Sequence, residues 1–349
     1  MSANKLSFIP FEKIWRMRID HPYSMFVRDG DMAWSTGQCP LDQRGEVLYP
    51  GNLLAQGLVV CDFIKRFMRE IGCAASALGR VVAYYVKQHP GDEQMLTRLL
   101  RDRLGDDLQI IPVAVPYFYY DGMLLEIDVY ASTTRRPMQR LEDAETRIAL
   151  EVIDAGPLVW AALRVPKTCT RPAEPAIDKL LADAGLAKDR LLADQWFRSK
   201  EAQDLASGAD VSADLDSDAA IGELTFAKSP VQSEVIEEPV ALTIRHSGDH
   251  FYVAARDVTA EGGLVEQTQA IMRTIEANLR RRGLRFSDVR KSTTYYLAGS
   301  SADELHLNMQ VRNGYYSKPG PASTGLPVIA FPATPSLITV QLLGIASNR

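Results

Sequence analysis

The sequence predicts an α/β (α+β) fold built from three diverged copies of one small unit. Two observations predict it. A strand–turn–strand pattern with a glycine at the turn occurs three times, and a helix pattern that ends at a glycine follows each hairpin. Such self-similarity indicates a fold assembled from repeated supersecondary units. The apolar fraction of 46% and the charged fraction of 24% are typical of a globular protein with a packed core.

The three hairpins have the same design. Glycine stands at each turn, where it supplies the positive φ that tight hairpin turns require. The hairpins and their turn glycines are residues 27–38 with Gly30, residues 153–164 with Gly156, and residues 245–256 with Gly248.

The helices that follow carry apolar residues at spacings of three and four, the period of a helix with one buried face. The first helix is predicted over residues 54–71 before Gly72, and the third over residues 265–282 before Gly283. Glycine is a common residue just beyond a helix C-terminus. A constant offset of 211 residues aligns the first copy with the third, and the more diverged middle copy matches the first at an offset of 113.

The repeat predicts the domain organisation. Three lobes are expected: residues 1–135, a degenerate middle lobe at residues 146–235, and residues 236–349. The charged segment from Arg135 to Thr146, which contains Pro137, is predicted to link the first two lobes. The offset of 211 places Tyr84 on Tyr295 in the third lobe.

Composition excludes several classes of function. A formal net charge of −5 argues against a nucleic-acid partner, which usually requires a basic face. No apolar stretch is long enough to span a bilayer, and residues 1–14 lack the features of a signal peptide. The four cysteines form no CxxC pair and the five histidines show no zinc-ligand spacing, so no metal, no other cofactor and a reducing, cytoplasmic location are predicted.

Five short motifs carry a resemblance to a known family. They are Pro22-Tyr23-Ser24, residues 35–42 with Ser35-Thr36-Gly37-Gln38, Gly45-Glu46-Val47, residues 125–131 with Leu125-Glu126-Ile127, and Pro321-Ala322-Ser323-Thr324-Gly325. In these motifs the sequence resembles the RidA (YjgF, L-PSP) family of enamine/imine deaminases. The resemblance implies chorismate-mutase-like lobes. Because family members are homotrimers with a ligand cleft at each subunit boundary, it also implies a pseudotrimer within one chain, either monomeric or paired into a dimer.

The sequence departs from the family in its charged residues. The family's arginine, which grips the substrate carboxylate, belongs in the Pro-Ala-Arg loop, but the corresponding stretch at residues 110–113 lacks it and Ser323 stands in its place in the third lobe. Lysine or serine cannot reproduce the planar fork of arginine. Glu126 matches the family's acid, and Gln341 is taken as its third-lobe counterpart, which cannot transfer a proton.

The first lobe supplies the predicted catalytic residue. The resemblance implies that Glu126 is a general acid/base whose pKa burial can tune, although a solvent-facing strand carboxylate is the alternative. It also implies that Tyr23 forms a cleft wall and that Thr36 and Gly37 form a ligand-binding turn, with a plain tight turn as the alternative. Cys39 has no histidine partner nearby in sequence, which argues against a nucleophile.

The remaining predicted ligand-binding residues lie in all three lobes. Gln38 is replaced by Arg164 and Arg256 in the other two hairpins, and each arginine can supply the missing carboxylate contact or be a surface residue at a strand end. Ser323 and Thr324 either hydrogen-bond a ligand or satisfy their own loop. The aromatic run at residues 117–120 either walls a cleft or packs between lobes.

These residues lead to one leading hypothesis and three rivals. The leading hypothesis is a Rid-like protein that binds a small carboxylate or imine metabolite in an inter-lobe cleft and deaminates it hydrolytically. The first rival is a non-catalytic small-molecule binding or regulatory protein. The second is a chorismatase-like hydrolase. Residues 321–325 resemble a loop of that family, although Gln341 and Leu326-Pro327 depart from its pattern. The ribonuclease label of some family members finds no support, because no basic groove is predicted.

Overall fold

In the computed structural model the described residues form two β-sheets, one of twelve strands and one of six. The structure describes residues 6–11, 14–15, 19–199, 210–237, 239–258, 261–297, 302–331 and 336–347. The larger sheet takes its strands from both ends of the chain, and the smaller one from the middle. Over the described ranges, no helix combines the length and the apolar character needed to cross a membrane.

Within its described residues, the N-terminal stretch contributes six strands and two helices. They are β1 (Ser7–Pro10), β2 (Ser24–Asp29), β3 (Met32–Ser35), α1 (Leu53–Glu70), β4 (Leu78–Tyr85), α2 (Asp92–Leu104), β5 (Gln109–Ala114) and β6 (Leu125–Ser132). The predicted hairpin and helix are confirmed. The turn between β2 and β3 contains Gly30 at φ +62°, and Gly72 follows α1 at φ +79°. The side chain of Asn52 accepts a hydrogen bond from the Ala55 N–H and caps the start of α1.

The described residues of the middle stretch form the six-stranded sheet and one helix. Its elements are β7 (Gln139–Glu142), β8 (Ala149–Asp154), β9 (Leu158–Pro166), α3 (Ala173–Asp183), β10 (Leu191–Arg198), β11 (Asp210–Ser212) and β12 (Asp218–Ala227). The predicted linker from Arg135 to Thr146 therefore needs correction, because β7 lies within it and pairs with β8. A charged edge strand and a charged linker have similar compositions, since both face solvent.

The C-terminal stretch completes the large sheet. Its elements are β13 (Gln232–Ile236), β14 (Val240–Ser247), β15 (His250–Val258), α4 (Leu264–Arg281), β16 (Val289–Leu297), α5 (Ala302–Asn313), β17 (Ala322–Val328) and β18 (Ile338–Ile345). The third predicted helix is confirmed to within one residue at each end. β17 lies beside β2 through the pair Ala322–Ser24, which joins this stretch to the N-terminal one.

Strand order is the same in all three stretches. It is β2-β3-β6-β4-β5 in the first, β8-β9-β12-β10-β11 in the second and β14-β15-β18-β16-β17 in the third. In each stretch the last two of these strands are parallel and the others antiparallel. The repeat seen in the sequence is therefore also a repeat of topology, and the middle stretch retains it.

The strand register corrects one sequence alignment. Tyr84 lies opposite Glu126 across β4 and β6, whereas Tyr295, its counterpart at the offset of 211, lies opposite Thr339 across β16 and β18. Thr339, and not Gln341, is therefore the counterpart of Glu126. A slip of two residues keeps every side chain on the same face of a strand, so the alternation of apolar residues does not detect it.

Each sheet has one face covered by helices and one free of them. Three aromatic rings meet where the helix-free faces pack together. The ring centroids of Tyr84, Phe197 and Tyr295 are 6.5, 6.4 and 6.0 Å apart pairwise, and all three side chains are fully buried. Edge-to-face packing of this kind is the preferred arrangement of aromatic rings. Separate apolar clusters pack the helices against the outer faces of the sheets.

Candidate functional site

A cavity of about 140 Å³ lies where the N-terminal stretch meets the C-terminal one. β3 and β6 approach it from one side, and α5 and β17 from the other. Five of the nine predicted site residues line it: Tyr23, Thr36, Gly37, Glu126 and Ser323. Concave sites of this kind, mostly apolar with a few convergent polar groups, are the usual form of small-molecule binding sites.

Glu126 lies directly against the backbone of Gly37. A Cβ atom at position 37 would lie 1.7 Å from Oε1 of Glu126 and 2.4 Å from its Cγ. Only glycine leaves room for the carboxylate at this point. Glycine is therefore required at position 37 because Glu126 lies so close to the backbone, and not because of an unusual φ. Glu126 is half-buried, with part of its surface open to the cavity.

The surroundings of Glu126 favour its neutral form. Burial raises the pKa of the Glu126 carboxyl to about 8, and the charge of Asp128, two residues along the same strand face, adds to the increase. Lys291 and a hydrogen bond from Cys39 oppose the increase. Glu126 therefore carries a proton at neutral pH, as a general acid must. Burial and the proximity of Glu126 raise the pKa of the Cys39 thiol well above its usual range, which keeps the thiol protonated.

The hydroxyl of Thr36 and the N–H of Gly37 are engaged within the protein. The hydroxyl of Thr36 donates to the carbonyl of Ser323 and accepts from the Ser323 N–H at 2.8 Å. The N–H of Gly37 donates to Oγ1 of Thr324 at 3.0 Å. Thr324 lies behind the cavity wall rather than on it. In this arrangement the polar groups of the turn hold the two stretches together instead of pointing into the cavity.

We call the contact between two stretches a seam. A buried ion pair supports the seam between the N-terminal and C-terminal stretches. Nζ of Lys291 lies 2.8 Å from Oδ2 of Asp128, and the side chains are only 3% and 1% exposed. Lys291 also donates to the carbonyl of Ser35 at 2.9 Å and to Oγ1 of Thr324 at 2.6 Å. The hydroxyl of Thr324 donates in turn to Asp128. Because the pair has these additional hydrogen bonds, its desolvation is well compensated.

Arg312 on α5 is the functional candidate that the sequence reasoning missed. Its side chain lines the cavity although the residue is only 3% exposed. Nε donates to Asn308 at 2.9 Å, and Nη1 donates to Thr294 at 3.0 Å. A Cβ atom on Gly325 would lie 3.5 Å from Nη2, so the guanidinium lies against the strand that carries the arginine-less motif.

The charge of Arg312 is buried, since the residue is only 3% exposed. Within the part of the chain that the structure describes, no Asp or Glu forms an ion pair with it. A buried charge without a counter-ion is costly, and a bound anion removes that cost. Arginine also presents the planar fork that matches a carboxylate. Its position on a helix outside the recognised motifs explains why motif reasoning did not find it.

The other predicted site residues do not reach this cavity. Arg164 pairs with Asp218 at 2.7 Å, and Arg256 pairs with Asp194 at 3.1 Å. Gln38 is fully buried, and its amide donates to the Thr36 carbonyl at 2.9 Å. Both arginines are thus held by internal carboxylates at other seams between the stretches.

Aromatic side chains form much of the remaining wall. Tyr23 is buried, which raises the pKa of its phenol, while Arg312 and Ser323 act in the opposite direction. Of the aromatic run at residues 117–120, the last three line the cavity. The run therefore forms part of a cleft wall.

The equivalent seams lack these polar groups. Thr36 lies six residues after its turn glycine, and alanine occupies that place as Ala162 and Ala254 in the other hairpins. Strand register matches Glu126 with Ile221 in the middle stretch, as it does with Thr339 in the third. Over the described ranges, no group of three or more His, Cys, Asp or Glu residues is arranged to hold a metal ion.

Comparison with solved structures shows the fold that the chain shares. A chorismatase structure matches 77% of this chain and 93% of its own, with a TM-score of 0.50 and 12% sequence identity. The chain therefore has a chorismatase-like fold. No protein-family model and no curated protein matches the sequence.

Rid-family structures are also similar, each over about a third of the chain. RidA from an Antarctic Psychrobacter matches 36% of this chain and 98% of its own, at 19% identity and a TM-score of 0.31. The Rid-family protein YyfA from Yersinia pestis matches 37% and 100%, at 17% identity and a TM-score of 0.32. The resemblance to RidA-type and chorismatase-type proteins is thus present in the structural comparison.

Proposed function

We propose that this protein binds a small carboxylate in the cavity between its first and third lobes and hydrolyses it with Glu126 as the general acid. One observation carries the proposal. Arg312, a buried arginine that forms no ion pair with any Asp or Glu the structure describes, lines the same cavity as Glu126, whose pKa burial raises to about 8. The pair provides an anion-binding group and a proton donor in one site.

The proposal includes a pseudo-threefold arrangement of three lobes, predicted at residues 1–135, 146–235 and 236–349, with β7 now counted in the middle lobe and β13 in the third. The near-equilateral ring triangle supports it, since Phe197 lies 113 positions after Tyr84, the same offset that relates the first and middle copies.

Buried charges also repeat in a cyclic order. Arg80 corresponds to Lys291 at the offset of 211, and Arg80 pairs with Glu223 of the middle lobe at 3.2 Å, as Lys291 pairs with Asp128 of the first. Asp128 and Glu223 occupy equivalent register positions. Between the middle and third lobes both of these positions are neutral, because Ala193 takes the position of the cation and Gln341 that of the acid.

The proposed chemistry acts on a 2-substituted acrylate, an enamine or an enol ether. The guanidinium of Arg312 holds the substrate carboxylate. The Glu126 carboxyl transfers its proton to the terminal vinyl carbon, and the electron pair of the C=C bond forms the new C–H bond. Water then adds to C2, and the amine or alcohol leaves with a proton, which yields a 2-keto acid and restores the proton on Glu126. A positioned acid of matched pKa typically contributes about 10²- to 10⁴-fold to such a step.

The first–third seam is proposed as the active one because of what the other seams lack. Ile221 and Thr339 at the Glu126 position cannot transfer a proton, and alanine replaces Thr36 in both. A single active cleft per chain follows.

The test is the release of ammonia from freshly generated 2-aminoacrylate, compared with Glu126→Gln protein. Release above the spontaneous rate by the wild type but not by the variant supports the proposal. Binding of carboxylates without turnover of any acrylate would favour a non-catalytic binding protein instead.

A second candidate, hydrolysis of chorismate, is favoured by the extent of the match to the chorismatase structure, which covers 93% of that chain. The enolpyruvyl group of chorismate is a 2-substituted acrylate and an enol ether, so Arg312 and Glu126 would act on that group, while the ring carboxylate would lie outside the contact with Arg312. Direct measurement of pyruvate release from chorismate distinguishes the two candidates.

A further inference from the structure

The wall of the cavity is mainly aromatic. The aromatic wall, as we define it, consists of Phe11, Trp15, His21, Tyr23, Phe118 and Tyr119. Several of these rings hold one another in place. Phe11 packs edge-to-face on Trp15 at 5.1 Å and on His21 at 4.4 Å, and His21 lies 5.6 Å from Tyr23. The wall is therefore formed before any ligand binds.

The size of the cavity suits one ring. The volume of about 140 Å³ is close to that of an engineered apolar cavity of about 150 Å³ that binds benzene. A two- or three-carbon acid alone leaves much of this space unfilled. Removing apolar surface from water is favourable, so a ring substituent gains affinity that a bare acrylate does not.

The charge of the cavity suits one carboxylate. Of the lining residues that the structure describes, Arg312 is the only lysine or arginine. Lys291, another buried cation of the seam, is already paired with Asp128. A second carboxylate on the ligand would meet the aromatic wall without a counter-charge, and such burial is costly.

We infer that the ligand is a monocarboxylate that carries one flat six-membered ring, with the carboxylate on Arg312 and the ring on the aromatic wall. This inference rests on the proposed function for the location of the site and adds the class of substrate. It points to acrylates or imines with an aryl side chain as the compounds to be turned over.

Equilibrium binding to the full-length protein, measured by calorimetry, tests the inference with four matched probes. They are 3-phenylpropanoate, propanoate, 3-phenylpropanamide and 2-benzylmalonate. We expect 3-phenylpropanoate to bind at least about 10-fold more tightly than each of the other three, a difference in binding free energy of about 1.4 kcal/mol. Each of the others either lacks the ring, lacks the charge or carries a second carboxylate. Equal affinity for propanoate, or tighter binding of 2-benzylmalonate, would overturn it.

Variants test separately where the ring and the carboxylate of the ligand bind. Phe118→Ala should weaken 3-phenylpropanoate but not propanoate, whereas Phe63→Ala, a half-buried aromatic of α1 outside the cavity, should change neither. Arg312→Met should remove the preference for the acid over the amide. Arg312→Lys keeps the charge and should retain part of that preference if the Met variant does not fold.

Binding and turnover fail separately. The four probes require no chemistry, so they can be measured on Glu126→Gln protein as well. If ring-bearing acids bind as expected while no acrylate is hydrolysed, the ligand class stands and the hydrolytic function is lost. If 2-aminoacrylate is hydrolysed while the ring adds no affinity, the ligand class is lost and the hydrolytic function stands.

Discussion

The phenolic oxygens of Tyr84 and Tyr295 lie 3.0 Å apart, although 211 positions separate the two residues in the chain. That separation equals the offset that aligns the first sequence repeat with the third. Phe197 completes the triangle from the middle stretch, without a hydroxyl. Residues that correspond in the repeat thus contact one another, as the proposed pseudo-threefold arrangement requires.

The hydrogen bond between these tyrosines gives the first prediction. Tyr84→Phe should cost about 0.5–1.5 kcal/mol in the free energy of unfolding, since one buried hydrogen bond is lost. Tyr295→Phe should cost a similar amount, and the double variant should cost less than the sum of the two. Urea unfolding of the four proteins measures this coupling, and strictly additive costs would show that the two hydroxyls do not interact.

The Arg80–Glu223 ion pair gives the second prediction. Arg80→Met should destabilise the protein by about 3–5 kcal/mol, because it leaves Glu223 buried and unpaired. Adding Glu223→Leu should recover part of that loss. Arg98→Met is the control, since its pair with Asp102 is exposed and such pairs contribute about 0–1 kcal/mol. A loss at Arg80 no larger than at Arg98 would contradict a structural role for the seam.

Catalysis by Glu126 gives the third prediction. Glu126→Gln should lower kcat for acrylate hydrolysis about 10²- to 10⁴-fold and leave the affinity for carboxylates nearly unchanged. Because the group acts as an acid, wild-type activity should fall as pH rises through about 8, where Glu126 loses its proton. Rate profiles from pH 6 to 10 test this (about four units around the expected midpoint). Activity that instead rises through that range would assign Glu126 the role of a base.

The same carboxyl makes stability depend on pH. The pKa of Glu126 is raised in the folded state, so folding retains a proton that the unfolded chain releases above its ordinary pKa. The resulting stabilisation is present at low pH and is lost as pH rises through about 8. Glu126→Gln protein should lack this component when unfolding is measured across the range. An identical pH dependence in both proteins would indicate that the carboxyl is ionised in the fold.

Gly37 gives a further prediction. Gly37→Ala should displace the Glu126 side chain, because the added Cβ would lie 1.7 Å from its Oε1. We expect turnover to fall nearly as far as in Glu126→Gln, with only a small change in the melting temperature, since a carboxylate at the end of a flexible side chain can move into the cavity. Gly57→Ala, within α1, is the matched control and should retain activity. Full activity in Gly37→Ala protein would place the reaction away from Glu126.

Much of the fold could be predicted from local signals. Turn glycines such as Gly30 and the three–four spacing of α1 are dictated by neighbouring residues, so the hairpins and helices were found where predicted. Motif resemblance likewise brought Tyr23, Thr36, Gly37 and Glu126 to one site, because these motifs mark strand ends that meet at a seam.

The rest depends on contacts that no local pattern reveals. Arg312 lies on α5, 186 positions from Glu126, and nothing in its own helix indicates that the side chain faces a cavity. The partnership of Lys291 with Asp128 depends on which strands become neighbours between stretches. The prediction of Gln341 as the counterpart of Glu126 was wrong by two residues. A shift of two preserves the alternation of apolar and polar residues along a strand, so the sequence pattern does not detect it.

A crystal structure of Glu126→Gln protein grown with 3-phenylpropanoate would locate the ligand itself. We predict that its carboxylate lies about 2.7–2.9 Å from the guanidinium of Arg312, the range of charge-assisted hydrogen bonds, with the ring against Phe118 and Tyr23. A ligand bound at the seams of Arg164 or Arg256 instead, with the cavity beside Arg312 holding none, would contradict it.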